Sequence, residues 1–301
     1  MTGAFACKWV ATIPTHCVLG EGPVWDDRLG ALWLTDIQQS QLLKVDWPSR
    51  TIARFDLPDR LGSLGLTADP DWLICAFASG FALFQPGTGE LDWVFRTETE
   101  YHGVRMNDGR VDRRGRFWAG SMVEREQGAP PERGSLWRLD RADRSTPHIL
   151  LNGISISNSL CFSPTGDRLY FADTPTREIA SYALAQDGTI SNRRVLAQLA
   201  GKGFPDGSDV DAEGRIWNAE WGSGRVTAYE PDGRLFARIE LPVSQATCVA
   251  FGGPDLDLLF VTSAREGLED EQLAQEPHAG DVLVYRLSVQ GLLAPRFGAD
   301  L

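Results

Sequence analysis

Short apolar runs separated by tight turns fill this chain from one end to the other. One unit recurs: an apolar residue, then Asp or Ser, then a turn with Gly, Asp or Pro, and then an apolar and aromatic run. Its copies begin at Val24, Val111, Phe162, Val210 and Phe251, and a weaker sixth copy begins at Leu66. Short apolar runs bounded by such turns are typical of β-strands, and helical periodicity is almost absent. The pattern therefore predicts an all-β protein built from one repeated unit.

The spacing of the copies indicates the architecture. Their aromatic or apolar ends are 40, 45, 52, 47 and 43 residues apart, at Trp33, Leu73, Trp118, Tyr170, Trp217 and Phe260. A four-stranded propeller blade repeats every ~40–50 residues, and two hairpins in each of six units give roughly 24 strands. Strands of a pair of β-sandwiches recur every ~8–12 residues without this longer period. We therefore predict one domain over residues 1–301, a six-bladed β-propeller of four-stranded antiparallel blades.

Three segments lie outside the repeated unit. The run 7–12 precedes the first copy, and we predict that this N-terminal strand completes the last blade and closes the ring, which removes exposed sheet edges. Irregular insertions at 124–134 and 265–280 lengthen loops that follow inner hairpins. We expect both insertions to lie on the rim of one mouth of the channel.

Charge and composition exclude several classes of protein. Against 41 Asp and Glu there are 29 Lys and Arg, a net charge of −12 without a basic block, which argues against a nucleic-acid partner. No run reaches the ~18 apolar residues of a membrane span, and the first ten residues lack the pattern of a signal peptide. The five cysteines are spread without a C-x-x-C pair, which favours reduced thiols. We expect a cytoplasmic monomer without membrane contact whose partner is a small molecule.

Polar residues stand where successive copies open. Glu21, Asn107, Asn158 and Asp206 each precede an apolar strand. Because the innermost strands of a propeller run the same way along the axis, these side chains converge at one end of the channel. Buried carboxylates and amides crowded together require a cation among them. Two carboxylates with an amide oxygen suit one divalent ion, Ca²⁺, Mn²⁺ or Mg²⁺, and Zn²⁺ also accepts such ligands.

Structural roles remain open for the same residues. Glu21 fits a turn cap, Asn158 fits a left-handed turn position, and Pro-Asp-Gly around Asp206 is itself a turn signal. The four histidines are scattered without a metal-binding spacing, and G-x-S-x-G is absent. This disfavours a histidine-rich zinc hydrolase and a Ser-His-Asp triad.

Several ordered motifs together resemble the senescence-marker-protein/gluconolactonase/regucalcin family. They are Leu19–Trp25, Asn107–Asp112, Gly115–Met122, Ser157–Ser159, Leu169–Thr174 and Pro205–Gly207, and the resemblance continues to Gly280. It implies a six-bladed propeller that holds one divalent metal on its axis and hydrolyses sugar lactones. By motif position, it places the metal ligands on Glu21, Asn158 and Asp206 and the substrate contacts on Arg105 and Asn107. An acidic residue shortly after Gly120-Ser121-Met122 binds the sugar in regucalcin-like members, which points to Glu124.

The leading hypothesis is an aldonolactone hydrolase of gluconolactonase type. Asp206 would accept a proton from the attacking water as general base, and Arg105 and Asn107 would orient the substrate. Two alternatives stay open at this point: a non-catalytic propeller that binds calcium or senses a ligand, and a metal-dependent esterase of another ester class.

Overall fold

Six antiparallel sheets follow one another along the chain. The structure is a computed structural model that describes residues 5–97, 103–124, 133–140 and 146–298. Blade 1 contains β2 (Gly20–Asp26), β3 (Ala31–Asp36), β4 (Gln41–Asp46) and β5 (Ile52–Asp56). Blade 2 contains β6 (Leu61–Thr67), β7 (Leu73–Phe77), β8 (Gly80–Gln85) and β9 (Glu90–Arg96). Blade 3 contains β10 (Val104–Val111), β11 (Phe117–Val123), β12 (Gly134–Leu139) and β13 (His148–Ile154).

The second half of the ring repeats this order. Blade 4 contains β14 (Ser157–Phe162), β15 (Arg168–Asp173), β16 (Glu178–Leu184) and β17 (Ile190–Gln198). Blade 5 contains β18 (Phe204–Val210), β19 (Ile216–Trp221), β20 (Arg225–Tyr229) and β21 (Leu235–Glu240). Blade 6 contains β22 (Ala246–Gly252), β23 (Leu258–Ser263), β24 (Val282–Leu287) and β1 (Cys7–Ile13). The predicted six-bladed propeller of four-stranded antiparallel blades is therefore confirmed.

The first strands of the blades form the inner ring. Each of β2, β6, β10, β14, β18 and β22 contacts both of its neighbours around the axis. Every residue of β2, β6 and β22 is buried, whereas the outer strand β5 is mostly exposed. The six repeat anchors all lie on the second strands, where apolar and aromatic side chains fill the space between blades. Burial thus decreases from the axis outward, and polar residues on the inner ring are the exceptions to be explained.

The N-terminal strand closes the ring, as predicted. β1 pairs antiparallel with β24, so blade 6 takes three strands from the end of the chain and one from the beginning. Ile13 on β1 is fully buried and packs in one cluster with Trp25 and Phe260. The closing strand therefore joins blade 6 to the packing of blade 1.

Two features go beyond the predicted 24 strands. A further strand, β25 (Arg296–Phe297), pairs in parallel with β6 and gives blade 2 a fifth strand. The insertion at 265–280 contains a short helix, α1 (Asp270–Gln275). Of the other insertion, residues 125–132 lie outside the described residues.

The five cysteines are free, with Cys7 exposed and the other four buried. No helix in the described part of the chain is long and apolar enough to cross a membrane.

Candidate functional site

A β-bulge interrupts each innermost strand close to its start. The register shifts lie between Glu21 and Val24, Leu61 and Ser63, Met106 and Gly109, Asn158 and Cys161, Pro205 and Ser208, and Ala246 and Val249. At five of them, two inner-strand residues stand opposite one residue of the second strand. Such bulges re-aim side chains and are frequent beside active sites.

The bulges hold the polar residues that the sequence singles out. Glu21 and Asn158 are the last paired residues before their bulges, and Asn107 and Asp206 lie within theirs. The expectation that these residues precede the strands is wrong, since all four lie inside strands. Pro-Asp-Gly at Asp206 is likewise part of β18 and not a turn.

Two features restrict which residues fit at the bulges: a left-handed backbone conformation and the close approach of neighbouring strands. Gly22, after Glu21, has φ +56°, and Ser159, after Asn158, has φ +60°. A Cβ on Gly207, after Asp206, would lie 2.2 Å from Cys248 Sγ on β22. The neighbouring inner strands therefore approach too closely for any side chain at position 207.

Three buried carboxyl groups, on Glu21, Asp108 and Asp206, lie at the bulges of inner strands. Burial raises the pKa of Glu21 to about 8, and repulsion by Asp108 adds to the effect. Burial, then repulsion by Glu21 and Asp108, raises the pKa of Asp206 well above its ordinary value. Burial also raises the pKa of Asp108 to about 6, which the charge of Arg110 opposes. Asp206 therefore lies within electrostatic range of both Glu21 and Asp108.

The charges of Arg105 and Arg110 favour ionised Glu21, but they do not outweigh the effect of burial on its pKa. Backbone N–H groups of Gly22 and Leu160 donate to Glu21 and Asp108, respectively. Among the described residues, no Lys, Arg or His forms an ion pair with Glu21 or Asp206. A cation between them would relieve their repulsion, so this donor set fits a divalent metal.

The donor set is mixed rather than purely acidic. Within the described ranges, no three His, Cys, Asp or Glu side chains are arranged as a metal centre. The third candidate ligand is an amide: Asn158 Nδ2 donates to Thr174 Oγ1 (2.8 Å), and Thr174 in turn bonds the carbonyl next to Asp206. The oxygen Oδ1 of Asn158 is left to accept from Asn107 Nδ2 (3.0 Å) and to bind a cation.

The predicted substrate-binding residues form a hydrogen-bonded group. Arg105 donates from Nη1 to Asn107 Oδ1 (2.7 Å) and from Nε to Glu124 Oε1 (3.2 Å). Arg60 holds the same carboxylate with two hydrogen bonds of 2.7 and 2.9 Å. The hydrogen bond from Arg60 is the main cause of the lowered pKa of Glu124. The structure thus brings Arg105, Asn107, Glu124 and Asn158 together.

A cavity of about 280 Å³ opens beside Arg105. Its walls include the aromatic rings of Phe95 and Trp137 and the hydroxyl-bearing residues Ser121 and Ser135. It therefore offers both an apolar wall and polar groups next to the guanidinium.

Arg60 and Thr174 are the two residues of this group that the sequence analysis missed. Arg60 directly precedes β6, the inner strand of the repeat whose sequence is weakest. Thr174 directly follows β15, and Glu124 follows β11 in the same way. Each second strand runs back to the end of the channel where its inner strand begins. The residues that directly follow the second strands were therefore also candidates for the functional site.

Comparison with known proteins places the chain in a family. Residues 19–265 match the family described as SMP-30/gluconolactonase/LRE-like region. The chain is 39% identical over 286 residues to an L-arabinolactonase of Azospirillum brasilense, covering 94% of this chain and 93% of the relative. It is 36% identical over 285 residues to a 6-deoxy-6-sulfogluconolactonase of Pseudomonas putida, covering 93% and 95%. The solved structure of a calcium-binding protein, regucalcin, from Agrobacterium tumefaciens has 34% identity and a TM-score of 0.89, covering 97% and 98% of the two chains. The chain belongs to the SMP-30/gluconolactonase/LRE-like family.

Proposed function

We propose that this protein is a metal-dependent hydrolase of sugar lactones that opens an aldonolactone to the free sugar acid. The observation that carries the proposal is geometric: two buried carboxyl groups, Glu21 of blade 1 and Asp206 of blade 5, lie at the bulges of inner strands, and neither forms an ion pair among the described residues. Relatives that cover almost the whole chain are named as lactonases, which supports the substrate class.

Glu21, Asn158 and Asp206 would hold one divalent ion, Ca²⁺, Mn²⁺, Mg²⁺ or Zn²⁺. When bound, such an ion supplies Lewis acidity, which polarises a carbonyl group and acidifies water. Carboxylate and amide oxygens are hard ligands, which favours Ca²⁺, Mn²⁺ or Mg²⁺ over softer metals.

Asp206 is assigned as the general base. A carboxylate within hydrogen-bond reach of the attacking water can accept its proton. Water adds its oxygen to the lactone carbonyl carbon as Asp206 takes one proton. The bond from that carbon to the ring oxygen then breaks, and the proton passes to the ring oxygen, which leaves a hydroxy acid.

Arg105 and Asn107 are assigned to the substrate. The guanidinium of Arg105 is buried, and its contacts with Asn107 and Glu124 fix its plane before substrate arrives. Such preorganised donors orient a sugar hydroxyl or stabilise charge on the carbonyl oxygen. The side chain of Glu124 is 22% exposed, so a sugar hydroxyl can reach it beside its ion pair with Arg60.

A second candidate function is calcium binding without catalysis. The similar solved structure is described as a calcium-binding protein, and the same residues would hold the ion. The two candidates differ in whether a lactone is turned over.

The test is a panel of aldonolactones derived from glucose, xylose, arabinose and galactose. Acid release is followed with a pH indicator, and the spontaneous rate is subtracted. We expect hydrolysis of at least one lactone, which is lost with a chelator and restored by one of the four metals. No hydrolysis above the spontaneous rate with any metal would contradict the proposal, and calcium binding in that sample would favour the second candidate.

A further inference from the structure

A chain of hydrogen bonds crosses blades 3, 4 and 5 at the candidate site. Arg105 donates to Asn107, Asn107 donates to Asn158, and Asn158 donates to Thr174. Thr174 Oγ1 then donates to the carbonyl oxygen of Pro205 (3.0 Å), the residue before Asp206. This series of hydrogen bonds therefore links the substrate-binding residues to the strand that carries the general base.

The two ends of this series of hydrogen bonds determine which group donates and which accepts at each step. A guanidinium only donates hydrogen bonds, and a carbonyl oxygen only accepts them. Because the Thr174 hydroxyl donates its one proton to the Pro205 carbonyl, its oxygen can only accept a hydrogen bond from Asn158. That requires the NH₂ group of Asn158 to face Thr174, so Oδ1 faces the opposite way.

This direction matters because the two ends of an amide differ chemically. The oxygen of Asn158 can bind a cation, whereas its NH₂ group repels one. Asn107 donates one hydrogen bond to Oδ1 and leaves a second lone pair there. A flipped Asn158 would lose its bonds with both Asn107 and Thr174.

We propose that Thr174 is a positioning residue: its hydroxyl holds the amide of Asn158 with the oxygen turned to the cation and ties it to the β18 bulge that bears Asp206. This inference rests on the proposed function. Thr174 begins a short 3₁₀ turn, Thr174–Thr176, after β15, and its backbone N–H bonds Ile156 O (3.0 Å). The turn therefore holds the backbone of Thr174 independently of its hydroxyl.

The test compares three variants of the full chain with the wild type. Thr174→Val keeps the shape and removes the hydroxyl, and Thr174→Ser keeps the hydroxyl. Thr176→Val is the matched control, because Thr176 lies in the same turn, is exposed, and its hydroxyl bonds only the backbone of Asp173 and Glu178 in the described structure. Calcium and manganese affinities are measured by calorimetry, and kcat and KM are measured at saturating metal on the best lactone.

We expect Thr174→Val to weaken metal binding about 10–100-fold, the usual effect of losing an outer partner of a ligand. Thr174→Ser and Thr176→Val should stay within about 3-fold of the wild type. Thr174→Ala removes the same hydroxyl without a branched side chain and should repeat the result, which guards against misfolding of the valine variant.

Wild-type affinity in Thr174→Val would overturn the inference and leave the proposed function standing. An equal loss in Thr174→Val and Thr174→Ser would also overturn it, since packing and not the hydroxyl would then matter. A wild type that binds neither ion and hydrolyses no lactone would overturn the proposed function itself.

Discussion

Gly120→Ala tests whether the close approach of two blades sets the geometry of the site. Gly120 lies on β11, and a Cβ there would be 1.6 Å from Ser157 Oγ and 2.3 Å from Ser157 Cβ on β14. Ser157 is fully buried, and its carbonyl accepts a hydrogen bond from Asn107 Nδ2. It also directly precedes Asn158. The added methyl group therefore pushes on the strand that carries a candidate ligand.

The structure sets the size of the effect. Rotating the Ser157 hydroxyl relieves one contact but leaves the two β-carbons in conflict, so β14 must retreat by about 1 Å to reach ordinary contact. Overpacking of this kind costs about 1–3 kcal/mol in the free energy of unfolding. A misplacement of about 1 Å in a catalytic site costs about 100-fold in rate. The loss of activity should therefore exceed what the loss of stability explains.

The assay combines urea denaturation with kcat/KM on the best lactone. Ser157→Gly is the compensating change, because it removes both atoms that meet the new methyl group. Ser157 Oγ has no hydrogen-bond partner among the described residues, so this change breaks no known hydrogen bond. We expect the double variant to recover most of the activity that Gly120→Ala loses. Normal activity in Gly120→Ala, or no recovery in the double variant, would refute the reasoning.

Two further predictions concern ring closure and pH. Ile13→Ala should lower the free energy of unfolding by about 2–5 kcal/mol, because Ile13 is fully buried between blades 6 and 1. Denaturation checks this, with the exposed Lys8→Ala as control; equal stability of the two variants would contradict it. The raised pKa values of Glu21 and Asp206 mean that, without metal, the folded state holds protons more tightly than the unfolded chain does. Their contribution to stability is therefore lost as pH rises through about 8 for Glu21. Since metal binding requires both groups deprotonated, the calcium-induced rise in Tm should be larger at pH 8.5 than at pH 6, and an equal rise would contradict this.

The repeat pattern predicted the fold because it reflects local chemistry. Each copy carries its own turn residues and its own buried aromatic or apolar position, such as Trp118 or Leu73, and six copies at one period define blades. The closing strand followed from the need to cover a sheet edge. The two-residue strand β25 is too short to leave a pattern, so only the folded chain reveals it.

The site was predicted in part. Glu21, Asn107, Asn158 and Asp206 stood out because each was expected to precede an apolar strand at a matching position of the repeat. Their place inside the strands could not be predicted, because a bulge depends on the register of the neighbouring strand. The pairing of Arg60 with Glu124 joins two blades through space, and no spacing along the chain encodes it.

Asp206→Asn tests the central claim most directly. The amide keeps the size of Asp206 but removes both the base and one of the two charges that would hold the cation. Asp232→Asn, the same change at an exposed turn of the same blade, is the control. The measurement is kcat/KM on the best lactone at saturating metal. We expect kcat/KM of Asp206→Asn to fall about 100- to 10,000-fold, the usual contribution of a general base, and that of Asp232→Asn to equal the wild-type value. A wild-type rate in Asp206→Asn would contradict the account.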